Sequence, residues 1–493
     1  MKKAGLSKFM EGNVNCLQSE LTLDAQADLL PYDKTYEFPR DKIELGRVIG
    51  SGAFGKVYLS SAEGILSQGE KTDVAIKMAE NIADNEMMKA LISELKIMIY
   101  LGKHLNVLNL LGAVTKNISK RELLIIVEFC PFGNVQSFLT KHRRYFVNQI
   151  VHQTDEIDPK ITSNTGSSNN LTFNSLKRNN LDGSSFLDSL EKALNSASPL
   201  VTPNKTSNSG PTQKEDSVQA PLRSVTTTDL LIWSFQIARG MQYLASRKVL
   251  HGDLAARNIL LCEGNVVKIC DFGLARSMYN KDCYRKNRDK EALLPLKWLA
   301  LESINDFVFS SYSDVWSFGV VLWELFSLGA TPYPDINPKI GLKKLLNDGY
   351  RMEKPEFATQ AIYDIMLSCW CVQPEKRPLF NKLESNISKL LGETVSEHYV
   401  DLNDPYVQAN ASRFNSGKTD YFALLGTPDC EAPCVPIRVL HEKYFPFLTD
   451  LLDGTPTATN NLYVAANTSK STNKYQNDHD NRQFSTFKRN NLH

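Results

Sequence analysis

Between Thr162 and Ser217 the chain carries twelve serines and nine asparagines in 56 residues, with little apolar periodicity. A segment of that composition cannot bury enough surface to offset the entropy of ordering it, and it reads as disordered. The stretches on either side, 43–147 and 228–393, are densely apolar and patterned. Such a chain folds more simply as one two-part domain interrupted by a long insertion, 148–227, than as two independent domains. Residues 1–42 are mixed in character. Residues 394–493 are again polar and Asn-rich, punctuated by Tyr399, Tyr406, Tyr421, Tyr463 and Tyr475, and read as a disordered, Tyr-bearing tail.

Short aliphatic and β-branched runs at Lys42–Leu45, Lys56–Leu59, Val74–Lys77 and Leu124–Val127, bounded by Gly, Ser or Asp, predict strands in the first flank. Glu86–Leu101 is rich in Met and Leu and free of Gly and Pro, which predicts a helix. Further helices are expected at Thr228–Arg247, Ser311–Leu328 and Ala361–Trp370. The 56 basic and 55 acidic side chains leave a net charge of +1, which argues against general affinity for nucleic acid. Nine scattered cysteines make no disulfide framework, so a reducing, cytosolic compartment is expected. The N-terminus lacks the apolar stretch of a secretory signal, and no window holds 18 successive apolar residues, so this chain is not expected to cross a membrane.

The chemistry begins at Gly50-Ser51-Gly52-Ala53-Phe54-Gly55. Alone, this spacing suits a dinucleotide-binding turn or merely a mobile hairpin. The dinucleotide reading requires a helix to open at the third Gly, whereas strand-like Lys56-Val57-Tyr58-Leu59 follows. Strand, Gly loop and strand make a hairpin lid whose amides can approach a triphosphate unobstructed by Cβ atoms. Lys77 ends the next strand run. Elsewhere it would be a solvated charge, but after this hairpin it becomes a ligand for α- and β-phosphates. Glu94 is its natural ion-pair partner. The competing acid, Glu86, lies near the helix start, where a carboxylate already serves the macrodipole.

His251-Gly252-Asp253-Leu254-Ala255-Ala256-Arg257-Asn258 carries the strongest signal, with Asp271-Phe272-Gly273 thirteen residues beyond Asn258. Magnesium takes hard oxygen ligands, which Asn258 and Asp271 supply. Asp253 is the acid placed to orient an attacking hydroxyl and accept its proton. Each could singly be an ordinary turn residue; their order and spacing are not explained that way.

This ordered set resembles the eukaryotic protein kinases over the whole core, from Ile49 to about Pro378. The resemblance implies an α+β, bilobal fold: a five-stranded antiparallel N-lobe sheet with one main helix, over a mostly helical C-lobe. Ala255-Ala256-Arg257 and the platform Leu294-Pro295-Leu296-Lys297-Trp298 resemble the tyrosine-specific branch. Within it, the long insertion resembles the receptors for platelet-derived and vascular endothelial growth factors. Leu30-Pro31-Tyr32, Glu37-Phe38-Pro39-Arg40-Asp41, Leu101 to Val107 and Val127 to Asn134 resemble the same class. Gly252 and Trp298-Leu299-Ala300-Leu301-Glu302 are similar to the insect receptor of that class.

The resemblance implies ATP and Mg2+ as cofactors. It places Ile49, Gly50, Gly52 and Gly55 over the nucleotide, Glu128 to Cys130 as the adenine hinge, Val127 as gatekeeper, and Val57, Ala75 and Leu260 around the adenine ring. Lys77 held by Glu94 would position phosphates, Asn258 and Asp271 would bind metal, Asp253 would steer the nucleophile, and Arg257 would support it. Met98, Leu110, His251 and Phe272 would stack in a column, although each is equally a core residue. Asp314 would cap the catalytic loop, and Glu302 would pair with Arg377. Implied partners are protein tyrosine substrates, SH2-type adaptors on phosphorylated tyrosines, and a second copy in a ligand-driven homodimer, on the cytoplasmic side of the plasma membrane.

Two positions depart from that pattern. Gly252 stands where the family usually has an Arg that meets an activation-loop phosphate, so phosphorylation of Tyr279 and Tyr284 is expected to contribute less to activation, with Arg276 or loop length in its place. Leu301 stands where Pro is usual. The alternative to an active enzyme is a weak kinase fold serving as a phosphotyrosine scaffold. Tyr399 and Tyr406, followed by Val and near Asp residues, are the best docking candidates in the tail. Tyr32 and Tyr36 could instead dock the first segment against the core and hold the kinase off. Cys430 and Cys434 have no His nearby and are assigned no metal. A receptor fragment and a natural product without an ectodomain fit the sequence equally.

Overall fold

The computed structural model describes residues 4–18, 21, 23–52, 55–162, 224–272, 295–338, 340–415 and 437–438. After a first helix, α1 (Ala4–Glu11), strands β1 (Ile43–Gly52), β2 (Gly55–Glu63) and β3 (Lys71–Met78) form an antiparallel meander. Helix α2 (Asn85–Leu101) follows, then β4 (Leu110–Val114) and β5 (Leu124–Glu128), which complete a five-stranded sheet in the order β1-β2-β3-β5-β4. The fold expected from the kinase resemblance is the one observed.

Each expected helix is present with its ends fixed by local chemistry. Asp84 caps α2 by accepting from the amides of Glu86 and Met87, and Gly102 ends it at φ +81°. Beyond the short α3 (Val135–His142), the chain makes a small hairpin of β6 (Ile150–Val151) and β7 (Glu156–Ile157). Helix α4 (Thr227–Ser246) opens with a reciprocal Thr226–Asp229 capping box. Strands β8 (Ile259–Leu261) and β9 (Val267–Ile269) form the hairpin beneath the interlobe junction. Helices α5 (Leu301–Asp306), α6 (Ser311–Phe326), α7 (Leu342–Asn347), α8 (Gln360–Cys369) and α9 (Phe380–Leu391) complete the lower lobe around buried Trp233, Phe235, Trp316, Phe318 and Phe326. Helix α6 stops two residues short of the expected Leu328, which sits at φ +55°.

Two expectations of disorder are corrected. The insertion leaves and returns through an ordered stem. Gln149 donates to the carbonyls of Pro159 and Ile161 and accepts from the Thr228 amide and hydroxyl, while the Val147 amide bonds the Val225 carbonyl at 2.8 Å. One side chain saturated by four partners holds a hairpin that composition does not reveal; residues 163–223 lie outside the described set. The tail, expected to be disordered from 394, continues as α10 (Glu393–Asp401) and α11 (Asp404–Asn415). Val395 and Tyr399, one helical turn apart, are buried, and Arg239 of α4 donates to the Tyr399 carbonyl at 2.6 Å. Tyr399 is therefore core, and Tyr406 is half-buried with Lys268 Nζ 5.3 Å from its ring.

The first segment is equally engaged. Leu6, Met10, Leu23, Ala27 and Leu30 are buried in the core cluster that contains α2. Lys96 of α2, wholly buried, donates to the carbonyls of Phe9 and Asp28 and lies 4.7 Å from the Phe9 ring centroid. Burial lowers its pKa to about 8. Glu37 then accepts from the Thr115 amide and hydroxyl and from the Lys116 amide. No helix among the described residues is long and apolar enough to cross a membrane.

Replacing Lys96 by Ala removes the donor of two carbonyls and leaves a cavity, at a cost of about 3 kcal/mol. Denaturant unfolding should register that loss, and amide exchange over residues 4–33 should accelerate. Unchanged protection there would show that Lys96 does not hold the segment.

Candidate active site

The register of the upper sheet gathers the nucleotide candidates. Gly52 on β1 faces Gly55 on β2, so the Gly-rich run is a hairpin and no helix opens there, which removes the dinucleotide reading. Ile49, 39% exposed on β1, is a large apolar side chain with little protein cover, and Gly50 lies beside it. A Cβ on Gly55 would collide with the Met78 carbonyl, so this glycine is also required by the close approach of β2 to β3. Val57 pairs with Lys77, and Ala75 pairs with Val127 of β5. Leu260 lies on β8 and is bridged to Asn134. The Glu128 carboxylate is engaged by Asn109 at 2.6 and 2.7 Å and by Lys268 at 3.1 Å. Contact with a nucleotide would therefore come from the backbone of Glu128–Cys130.

Lys77 Nζ lies 2.7 Å from Glu94 Oε1 and 2.7 Å from Asp271 Oδ1. Burial pulls the Lys77 pKa down, but Asp271 and Glu94 outweigh it and raise the pKa. Burial raises Glu94, and Lys77 offsets part of that. Asp271 is lowered, chiefly by Lys77, and stays ionised. It does so at φ +55°, a left-handed backbone that Asp tolerates better than most residues. The competing Glu86 is taken by Lys89 at 3.0 Å.

Asp253 stands on the facing loop. Asn258 Nδ2 donates to its carbonyl at 2.7 Å and its carboxylate at 2.9 Å, which turns the Asn258 amide oxygen to the opposite side. Arg257 pairs with the other Asp253 oxygen and lies 4.4 Å over the Trp298 ring. Burial raises the Asp253 pKa, with Arg257 opposing, so its carboxylate is a better proton acceptor than an exposed one. An amide oxygen and an ionised carboxylate form a hard donor set that fits magnesium.

Residues 43–387 match the family described as protein tyrosine and serine/threonine kinase. The chain belongs to this kinase family. It is 44% identical over 401 residues to a vascular endothelial growth factor receptor 3 of Coturnix coturnix, covering 78% of this chain and 27% of that protein. Vascular endothelial growth factor receptor 1 of Homo sapiens is 43% identical over 399 residues, covering 80% and 28%. Platelet-derived growth factor receptor alpha of Takifugu rubripes is 38% identical over 400, covering 77% and 37%. The chain thus spans roughly a quarter to a third of the length of these relatives.

Met98, Leu110, His251 and Phe272 are all buried, as core residues of either role would be, and burial lowers the His251 pKa to about 4. Asp314 accepts from the amides of His251 and Gly252, each at 2.9 Å, and Arg377 grips Glu302 through two bonds of 2.6 and 2.8 Å. Leu301 is the first residue of α5 and buried, so no Pro is needed to start the helix. Gly252 has φ +77°, where a side chain would cost roughly 1–2 kcal/mol. Tyr279, Tyr284 and Arg276 lie outside the described residues.

Sequence reasoning missed Glu324. Its Oε2 accepts from the Ala256 amide and Trp298 Nε1, both at 2.9 Å, while Oε1 is buried without a partner. The available signal was an acid within the apolar second half of α6, Gly319–Phe326. Burial raises Glu324 to about 7 and Asp314 to about 6. Both lie above their unfolded values, so ionisation costs the folded kinase: stability from these groups is fullest at acid pH and falls as pH rises through about 6 and 7. Glu324→Gln keeps an acceptor oxygen and removes the ionisation. Its thermal midpoint relative to wild type should rise as pH increases from about 5 to 8. Parallel curves would contradict the burial of an ionisable Glu324.

Proposed function

We propose that this chain is the cytoplasmic catalytic part of a growth-factor receptor and transfers the γ-phosphoryl group of Mg-ATP to protein tyrosine hydroxyls. The observation that carries the reading is the closed Lys77–Glu94–Asp271 arrangement opposite Asp253, with Asn258 and Arg257 engaged on Asp253. The family uses ATP as substrate. The similarity to vascular endothelial and platelet-derived growth factor receptors supports tyrosine as the acceptor.

In this reading Lys77 holds the α- and β-phosphates, and Glu94 prevents its ammonium from swinging away. Asn258 and Asp271 hold magnesium, which when bound neutralises charge on the phosphates. Asp253 orients the tyrosine hydroxyl in line with the γ-phosphorus and takes its proton as the new O–P bond forms and ADP departs. Arg257 fixes Asp253, while its guanidinium over Trp298 supports the substrate platform. The work is positioning and charge neutralisation, since phosphoryl transfer asks little covalent help of the protein.

In a full receptor, dimers would present tyrosines in trans, and phosphotyrosines would recruit SH2-type adaptors. Burial disfavours Tyr399 as such a site while α10 is packed; Tyr406 is the better candidate. The first segment, with Tyr32 and Tyr36, is docked while the Lys77–Glu94 pair is closed, so docking alone does not hold the enzyme off.

Purified chain with Mg-ATP should form phosphotyrosine, and Asp253→Asn should slow it by about 10²–10⁴-fold while nucleotide binding persists. Nucleotide binding without phosphotyrosine in the wild type would point to a scaffold instead. Tyr279→Phe/Tyr284→Phe should retain kcat to within about 10³-fold, because Gly252 offers no guanidinium to a loop phosphate; a larger loss is the scale of removing a major electrostatic element and would refute this.

A further inference from the structure

Two thiols from distant parts of the chain meet behind the hinge. Cys262 Sγ lies 2.9 Å from Cys130 Sγ, and both are free. Backbone geometry imposes the meeting: the Leu261 amide donates to the Gly133 carbonyl at 2.8 Å, and the Phe132 amide donates to the Leu261 carbonyl at 3.3 Å. These bonds lock the segment after Cys130 to the residue before Cys262, so neither thiol can drift without breaking them. We propose that Cys130 and Cys262 are a peroxide-sensitive dithiol whose oxidation to a disulfide fastens the hinge to strand β8.

Cys262 is the more accessible of the two, and Cys130 is buried. The neighbouring Cys262 sulfur and burial push the Cys130 thiol up, against the pull of the Lys268 ammonium. Hydrogen peroxide therefore reacts first at Cys262. The thiolate sulfur bonds one peroxide oxygen, the O–O bond breaks, and hydroxide leaves with a proton as water, giving a sulfenic acid. The Cys130 sulfur then attacks that sulfur, the S–O bond breaks, and the hydroxyl departs as a second water with the Cys130 proton. Two thiols give up two electrons, and one peroxide becomes two waters.

Bond formation draws the sulfurs from contact to ~2.05 Å, pulling the hinge onto β8. Cys130 lies at the end of the hinge and Leu260 two residues before Cys262, so the cross-link joins two sides of the adenine position and restrains the pivot between lobes. This consequence for turnover rests on the function proposed above; the cross-link does not.

The full chain is treated with hydrogen peroxide, alkylated, digested and mapped by mass spectrometry. The expected product is a peptide pair joined through Cys130 and Cys262, two hydrogens lighter than the free thiols and released by dithiothreitol. Phosphotyrosine formation should fall by about tenfold or more, the scale of a sub-ångström to ångström misplacement at a reacting site, and recover on reduction. Cys262→Ser should keep basal turnover and lose both the linked peptide and the peroxide response at that dose. Absence of the linked peptide when exposed Cys16 is already oxidised overturns the proposal. A linked peptide with unchanged turnover refutes control through the hinge. A reduced chain without turnover would defeat the functional reading alone, because linkage is read by mass.

Discussion

A buried ammonium shared between two carboxylates connects three distant segments of this kinase. Lys77 is on a sheet strand, Glu94 on helix α2 and Asp271 at the end of the β9 turn, and each is within 2.7 Å of its neighbour. Desolvating Lys77 and Glu94 is expensive, and such a cluster adds little net stability over an apolar packing of the same shape. Its value is positional. Removing Lys77 would strand two carboxylates, at about 3–5 kcal/mol, whereas removing either carboxylate leaves a one-to-one pair, so the ammonium is the member the arrangement depends on. Where sheet, helix and loop stand relative to one another is therefore fixed to the tolerance of two hydrogen bonds, and that tolerance is what phosphoryl transfer needs.

Helix α2 is held from its far side as well. The first segment reaches it through Lys96, through the Tyr100 hydroxyl bonded to the Pro31 carbonyl at 2.8 Å, and through buried Leu23 and Leu30. That segment also spans to the lower lobe, where the Leu250 amide bonds Asp24 and the Leu23 amide bonds the Lys248 carbonyl. From the other end, α11 sends Arg413 to the Ile99 carbonyl and to within 3.8 Å of Asp33, and Asn410 pairs with both backbone polar groups of Lys103. Regions outside the catalytic core thus grip the last turns of the helix that carries Glu94. A shift of either region would be felt at the ion pair by rigid transmission along α2.

How much of this could be read from sequence divides along physical lines. Lys77, Asp253, Asn258 and Asp271 could be singled out because phosphates, protons and hard cations would each demand a particular donor at a fixed spacing, and the fold does bring Lys77 to Asp271 and Asn258 to Asp253. Glu94 could be separated from Glu86 because a carboxylate one residue into a helix already has an electrostatic role. Glu324 carried no such mark: its importance depends on Trp298 and Ala256 arriving beside α6, which only tertiary structure decides. Tyr399 was misread for the same reason. A tyrosine in a polar tail looks exposed until α4 supplies the surface that covers it. Gln149 likewise looks ordinary until the carbonyls it satisfies are brought within reach.

The catalytic loop rests on two buried acids rather than on packing alone. Asp314 uses both oxygens on the amides of His251 and Gly252, and Glu324 uses one on Ala256 and Trp298. Each acid exchanges solvation for protein N–H donors that water would otherwise have to satisfy inside the protein. Gly252 belongs to this support: its φ of +77° lets its amide meet Asp314 without a strained side chain. The residue that departs from the usual kinase pattern therefore relaxes the loop backbone at the same position where it gives up a guanidinium.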